Sequence, residues 1–128
     1  MSYNIDTWKT KKLDSLAIPL SAFYAHERKD FHPRTIIKIQ EGEGGDYSII
    51  LEASEGKGIH GLLVDGVVRV ETIEIRGEFS GTMYREVLIP ALEKSTGELE
   101  AVLIWEGGDS VTRLAVKDGH IIDTDIEL

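Results

Sequence analysis

Histidine and acidic side chains cluster between positions 25 and 33, and they are the residues of this sequence best suited to hold a metal ion. The candidate ligands are His26, Glu27, Asp30 and His32. Imidazole nitrogens and carboxylate oxygens are common ligands of divalent ions and also serve as general acids and bases. However, the two histidines are not one helical turn apart and match no zinc signature, and Arg28 and Lys29 would repel a cation. We therefore favour an exposed polar loop and keep a small metal-dependent or acid–base enzyme as the alternative.

A second candidate site is a hairpin tip that combines a large aromatic residue with two acids. It comprises Trp105, Glu106 and Asp109, around the turn residues Gly107 and Gly108. Tryptophan is often the anchor of a protein interface, and the acids would favour a basic partner. The strand alternation turns Trp105 towards the apolar face, so we expect it to pack beneath the helix described below.

The third candidate is a row of acids at alternate positions, Asp123, Asp125 and Glu127. Side chains two apart on a strand share one face, and we expect Glu98 and Glu100 on that same face. Arg113 and Lys117 would lie between them, which is typical of a solvated outer face. A basic partner could bind these acids, so this row and the hairpin tip are the predicted binding residues.

Other catalytic motifs are not indicated. The stretch from Gly77 to Gly81 resembles a nucleophile elbow only superficially, because Ser80 is better explained as a helix cap. The glycines between 42 and 45 are not followed by the Lys-Ser/Thr of a phosphate loop. With no cysteine, the chain has no disulfide, thiolate nucleophile or Cys-ligated zinc. We predict no cofactor.

The charge balance is acidic, with 14 Lys and Arg against 23 Asp and Glu and a net charge of −9. Nonspecific nucleic-acid binding needs clustered basic residues, so this class is disfavoured, whereas a basic protein partner would be attracted. Residues 1–6 lack the features of a signal peptide, and the longest apolar run, 101–105, is too short to span a membrane. We expect a cytoplasmic protein that does not bind membranes.

A single domain over residues 1–128 is expected for this length, with one principal helix at about 80–95. Apolar residues recur at helical spacing on one side of that segment: Tyr84, Val87, Leu88, Ala91 and Leu92. Ser80 or Thr82 could cap the helix, and Gly97 could stop it. Pro90 should kink it or divide it into two turns.

Three strands after the helix form a predicted meander. A Gly107-Gly108 turn would pair Trp105 with Ser110, Leu103 with Thr112, Ala101 with Leu114 and Leu99 with Val116. The next turn, at 117–119, allows a two-residue or a three-residue loop. The shorter loop would set Asp123 beside Leu114, in the apolar row, whereas the longer one pairs Leu114 with Ile122 and Arg113 with Asp123. We therefore predict the three-residue loop, with Ile122 and Ile126 beneath the helix.

Earlier segments also alternate as strands, at 35–39 and 47–53. Asp65-Gly66 predicts a hairpin, and a change of apolar phase predicts a bulge or bend near Glu71 and Thr72. Pro19 would confine the strand around 16–20 to an edge, and 21–33 is expected to be loop or one helical turn. The two Asp-Gly segments resemble each other, which either a duplication or the general likeness of meanders explains.

The predicted fold is α+β and β-rich, with mostly antiparallel meander sheets or a partly open barrel and the principal helix packed on the C-terminal three-stranded meander. No set of residues has catalytic spacing. We therefore hypothesise a noncatalytic acidic binding protein that neutralises or regulates a basic protein partner.

Overall fold

Alternating apolar residues produce β-strands along most of the chain. The computed structural model describes residues 4–24, 37–42, 44, 46–51, 58–81, 84–107 and 110–127. Nine strands lie in this part of the chain: β1 (Asn4–Pro19), β2 (Ile37–Glu41), β3 (Asp46–Leu51), β4 (Gly58–Val64), β5 (Val67–Glu74), β6 (Arg76–Ser80), β7 (Thr96–Trp105), β8 (Ser110–Lys117) and β9 (His120–Glu127). They join in one sheet through antiparallel pairs, which confirms a β-rich α+β fold.

The order of the strands across the sheet is β2-β3-β4-β5-β1-β7-β8-β9, with β6 pairing β1 beside this path. The prediction of an edge strand at Pro19 is therefore wrong, because β1 pairs with β5 and β6 as well as with β7. Pro19 is tolerated because it is the last residue of β1 and pairs only with Val67 of β5. The pairing of β1 with β7 ends before it, at Ala17 and Thr96.

The hairpin between β4 and β5 has the predicted two-residue turn and the predicted bulge. Asp65 and Gly66 both have positive φ, as a type I′ turn requires. The register of β4 with β5 then shifts: Val70 pairs with Gly61 and Thr72 pairs with His60, so Glu71 is the extra residue of a bulge. Because the shift changes which side chains face inward, Val68 and Val70 are buried before the bulge and Ile73 after it.

The principal helix lies at 84–93 and packs against the C-terminal meander, as predicted. It consists of a π-helical turn (Tyr84–Leu88) followed by α2 (Ile89–Glu93), and a short α1 (Ser21–Tyr24) follows β1. All five residues of its predicted apolar side are buried. Pro90, which has no N–H to donate, stands in the first turn of α2, where the two helical segments meet. Ser80 ends β6, and Gly97 lies inside β7, beyond the end of the helix.

The register of β7 with β8 agrees with the prediction. Leu99 pairs with Val116, Ala101 with Leu114 and Leu103 with Thr112. The predicted turn at Gly107 and Gly108 falls partly outside the described residues.

The register of β8 with β9 corrects the predicted three-residue loop. The turn has two residues, Asp118 and Gly119, at φ 46° and 82°, so Leu114 pairs with Asp123 and Ala115 with Ile122. Asp118 also holds this turn in place, since its carboxylate accepts a hydrogen bond from Gly97 N at 2.9 Å and its N–H donates to Gly97 O at 2.9 Å. The predicted pair of Arg113 and Asp123 is likewise wrong, because Arg113 pairs with Thr124.

The meander consequently has two unlike faces. The helix face carries Leu99, Ala101, Leu103, Trp105, Thr112, Leu114, Val116, Ile121, Asp123 and Asp125. The outer face carries Glu98, Glu100, Val102, Ile104, Val111, Arg113, Ala115, Lys117, His120, Ile122 and Thr124. Trp105 and Ile122 therefore lie on opposite faces, and Ile122 is 56% exposed rather than buried. Ile122 therefore does not lie beneath the helix as predicted, and the side chain of Ile126 lies outside what the structure describes.

Candidate functional site

Two carboxylates of β9 are fixed by hydrogen bonds on the helix face. The hydroxyl of Tyr84 donates to Asp123 Oδ2 at 2.7 Å. The indole Nε1 of Trp105 donates to Thr112 Oγ1 at 2.7 Å, and that hydroxyl donates to Asp125 Oδ1 at 2.7 Å. These distances are typical of strong hydrogen bonds, those to the carboxylates being charge-assisted.

The sheet register places the members of this site side by side. Thr112 lies between Leu103 of β7 and Asp125 of β9, so one hydroxyl can accept from Trp105 and donate to Asp125. Asp123, two residues earlier on β9, lies across from Leu114 and within reach of Tyr84 on the helix. The sequence pattern treats this row as apolar, but at β9 its members are exposed, so the carboxylates stay solvated while these donors fix their orientation.

Tyr84 links the helix to the carboxylates from a buried position. Only 2% of the residue is exposed, and its ring meets that of Trp105 edge to face, with centroids 5.7 Å apart and planes at 87°. Burial, and then the hydrogen bond to Asp123, raise the pKa of Tyr84 well above its ordinary range. Tyr84 therefore stays protonated and acts as a donor rather than as a base.

The acids expected to form one surface are divided between the two faces. Glu98 and Glu100 belong to the outer face, so they do not join Asp123 and Asp125. Glu98 lies 2.6 Å from Lys12 Nζ and 3.9 Å from Lys117 Nζ. The hydrogen bond and charge of Lys12 lower the pKa of Glu98, and Glu98 in turn raises the pKa of Lys12.

Asp123 and Asp125 differ from Glu98 in having neutral donors. Both residues are exposed, and no lysine, arginine or histidine of the described residues forms an ion pair with either. An ionised carboxylate can accept about four hydrogen bonds, so each keeps acceptor capacity beyond the one that holds it. The site therefore offers two oriented negative charges that no cation within it compensates.

The other predicted site residues either lie at the ends of β7 and β9 or fall outside the described residues. Glu106 is exposed at the end of β7, and Glu127 is the last residue of β9. Asp109 and the candidate metal ligands lie outside the described residues: His26, Glu27, Asp30 and His32. Within the described part of the chain, no group of three or more histidine and acidic side chains is arranged to hold a metal ion.

Sequence reasoning missed the donors of this site. It assigned Tyr84 to the apolar side of the helix and Thr112 to a pairing with Leu103, and both placements are correct. Their hydroxyl groups were the overlooked signal, because buried polar atoms nearly always find a hydrogen-bond partner. Thr112, in a row continued by Leu114 and Val116, indicated a polar neighbour on the adjacent strand.

Comparison with family models, with curated proteins and with solved structures finds no match to this chain. Among the residues that the structure describes, no helix has the length and apolar character needed to cross a lipid bilayer.

Proposed function

We propose that this chain is a noncatalytic binding protein that recognises a basic protein partner through Asp123 and Asp125 of β9. The observation that carries the proposal is that both exposed carboxylates accept hydrogen bonds from neutral donors, Tyr84 and Thr112, and form no ion pair with a cation of the described residues. A carboxylate whose position is already set loses less freedom when a partner binds than a mobile one does.

The spacing of the two acids defines what they would recognise. Residues two apart on a strand are separated by about 6.5–7 Å, which matches lysine or arginine side chains at alternate positions of an extended segment. The net charge of −9 would also raise the rate at which a cationic protein meets this surface.

Further acids stand close by in the sequence, along β9 and towards the hairpin tip. Glu127 follows Asp125 at the same two-residue spacing, and Glu106 and Asp109 stand in the segment between β7 and β8. Trp105 contributes from within by orienting Thr112, since its indole N–H is bonded to that hydroxyl.

A pull-down with two matched variants tests the proposal. Asp123→Asn/Asp125→Asn removes two charges while keeping an oxygen that can accept from Tyr84 and Thr112. Asp65→Asn/Glu71→Gln removes two exposed charges from the β4–β5 hairpin and serves as the control. We expect the unmodified chain and the control to capture a basic protein, with less captured as salt rises from about 0.05 to 0.5 M.

The Asp123/Asp125 variant should lose that capture while retaining the circular dichroism spectrum and melting temperature of a folded chain. Capture that is insensitive to salt, no capture at all, or equal losses in both variants would contradict the proposal.

A further inference from the structure

The outer edge of β9 carries backbone N–H and C=O groups that pair with no other strand of the described part of the chain. Among the described strands, β9 is last in the sheet order and pairs only with β8. An edge strand of this kind presents a row of N–H and C=O groups to which another extended chain can bond.

The two-residue turn determines which residues of β9 present those groups. In such a hairpin the closing pair, here Lys117 and His120, exchanges both backbone hydrogen bonds, and bonded and non-bonded pairs then alternate. The backbone groups of Ile122 and Thr124 therefore point towards β8. Those of Asp123 and Asp125 point outward, so the residues that carry the carboxylates also carry the backbone groups that no described strand pairs.

We propose that the basic partner of this protein binds by adding an extended segment to β9 as a further antiparallel strand. This inference rests on the proposed function, which supplies the charge of the partner. In an antiparallel pair, residues opposite Asp123 and Asp125 would place their side chains on the helix face, beside the carboxylates. Lysine or arginine belongs at those positions.

The outer face of β9 indicates which residues of the partner segment should stand between the basic ones. Ile122 is 56% exposed, and Thr124, on the same face, is also exposed. A β-branched or aliphatic residue between two basic ones would cover this face, because cross-strand neighbours on one face pack together. The expected partner segment therefore alternates basic and apolar residues.

A second copy of this chain is a poor occupant of the same edge. Pairing β9 with β9 in the equivalent bonded register would set acids of one copy opposite acids of the other, and like charges directly opposite each other destabilise a sheet. The net charge of −9 on each copy adds to this repulsion.

Calorimetric titration of synthetic peptides into the full chain tests this mode of binding. Each peptide has eight residues, the length of β9. The first peptide alternates Lys and Val. The second has the same composition with all Lys before all Val. The third and fourth are alternating peptides with N-methyl groups on the Lys residues or on the Val residues, respectively.

We expect the alternating peptide and its Val-methylated form to bind with similar affinity, because Val N–H groups would point away from β9. The Lys-methylated peptide should bind at least about tenfold more weakly because it loses several backbone hydrogen bonds. The peptide with all Lys before all Val should be weakened as much, because its basic and apolar side chains no longer alternate between the two faces. Asp123→Asn/Asp125→Asn should weaken binding of the alternating peptide, and Asp65→Asn/Glu71→Gln should not.

Equal affinity for all four peptides, with sensitivity to the Asp123/Asp125 variant, would overturn strand addition and leave recognition of a basic partner standing. Loss of binding on methylation of Val instead of Lys would overturn the antiparallel arrangement. Failure of every peptide to bind, while the pull-down still captures a basic protein at Asp123 and Asp125, would show that the partner is not an extended segment.

Discussion

The hairpins β4–β5 and β8–β9 turn through the same dipeptide in the same backbone conformation. Asp65 and Gly66 have φ of 51° and 77°, and Asp118 and Gly119 have φ of 46° and 82°. Both are two-residue turns, closed by Val64 and Val67 in one hairpin and by Lys117 and His120 in the other. Asp-Gly therefore forms a two-residue type I′ turn in both hairpins, because this turn matches the twist of the strands that it joins.

The strands that follow these turns have opposite polarity at equivalent positions. The third residue after the turn is Arg69 in one hairpin and Ile122 in the other, and both are exposed. The fourth is Val70, which is buried, in one hairpin and Asp123 in the other. The turn therefore sets the register, while the face towards the helix accepts either an apolar side chain or a carboxylate that a donor orients.

The surroundings of the two turns also differ. A Cβ atom added to Gly66 would meet nothing within 4 Å, whereas one added to Gly119 would lie 2.5 Å from the carbonyl oxygen of Glu93. The first turn is therefore open, and the second is packed against the end of the principal helix.

The largest expected effect comes from exchanging these glycines for alanine. Gly66→Ala should cost about 1–2 kcal/mol of unfolding free energy, the strain of a left-handed conformation. Gly119→Ala adds overlap with the Glu93 carbonyl, so we expect a total loss of about 2–5 kcal/mol. Urea unfolding measures both values, and equal losses would show that the second turn is not packed on the helix.

Removing the hydroxyl that binds Asp123 should have an intermediate effect. Tyr84→Phe should lower the unfolding free energy by about 1–2 kcal/mol at pH 7, because a hydrogen bond to a charged group is lost. The pKa of Tyr84 is higher in the native state than in the unfolded state, where it is near 10. The associated stabilisation is therefore fully present below pH 10, and it is lost as the pH rises above that value and the unfolded chain releases the proton.

The difference between the native chain and Tyr84→Phe should therefore shrink between pH 8 and pH 11, by at most about 1.4 kcal/mol per pH unit. Urea unfolding of both chains across this range measures it. The other titrating groups are shared by the two chains and cancel in the difference. A difference that is constant with pH would contradict a hydroxyl held in its protonated form.

The smallest expected effect is at the third residue after each turn. Ile122→Thr and Arg69→Thr should each change the unfolding free energy by no more than about 0.5 kcal/mol, because both side chains are exposed. Thermal or urea unfolding can compare them directly. A loss above about 1.5 kcal/mol for Ile122→Thr alone would place this side chain in the core and restore the three-residue loop.

Much of the fold could be predicted from local pattern. The alternation in 99–105, the apolar spacing in 84–92 and the phase change near Glu71 led to a correct strand, a correct helix face and a correct bulge. Each of these depends on the period of a single element or on one hairpin. The central position of β1 could not be predicted in this way, because its partners β5 and β7 are far from it in sequence.

The candidate site shows the same division. The amino-acid pattern alone indicates that acids alternate along β9, that Asp118-Gly119 forms a turn and that the chain carries an excess of negative charge. Tertiary packing was needed to show which face those acids occupy, because the hydroxyls of Tyr84 and Thr112, which come from other elements, orient the exposed carboxylates on the side of Leu114. The polar residues of one strand indicate that hydrogen-bond donors are required, and the packing of elements distant in sequence determines which residues supply them.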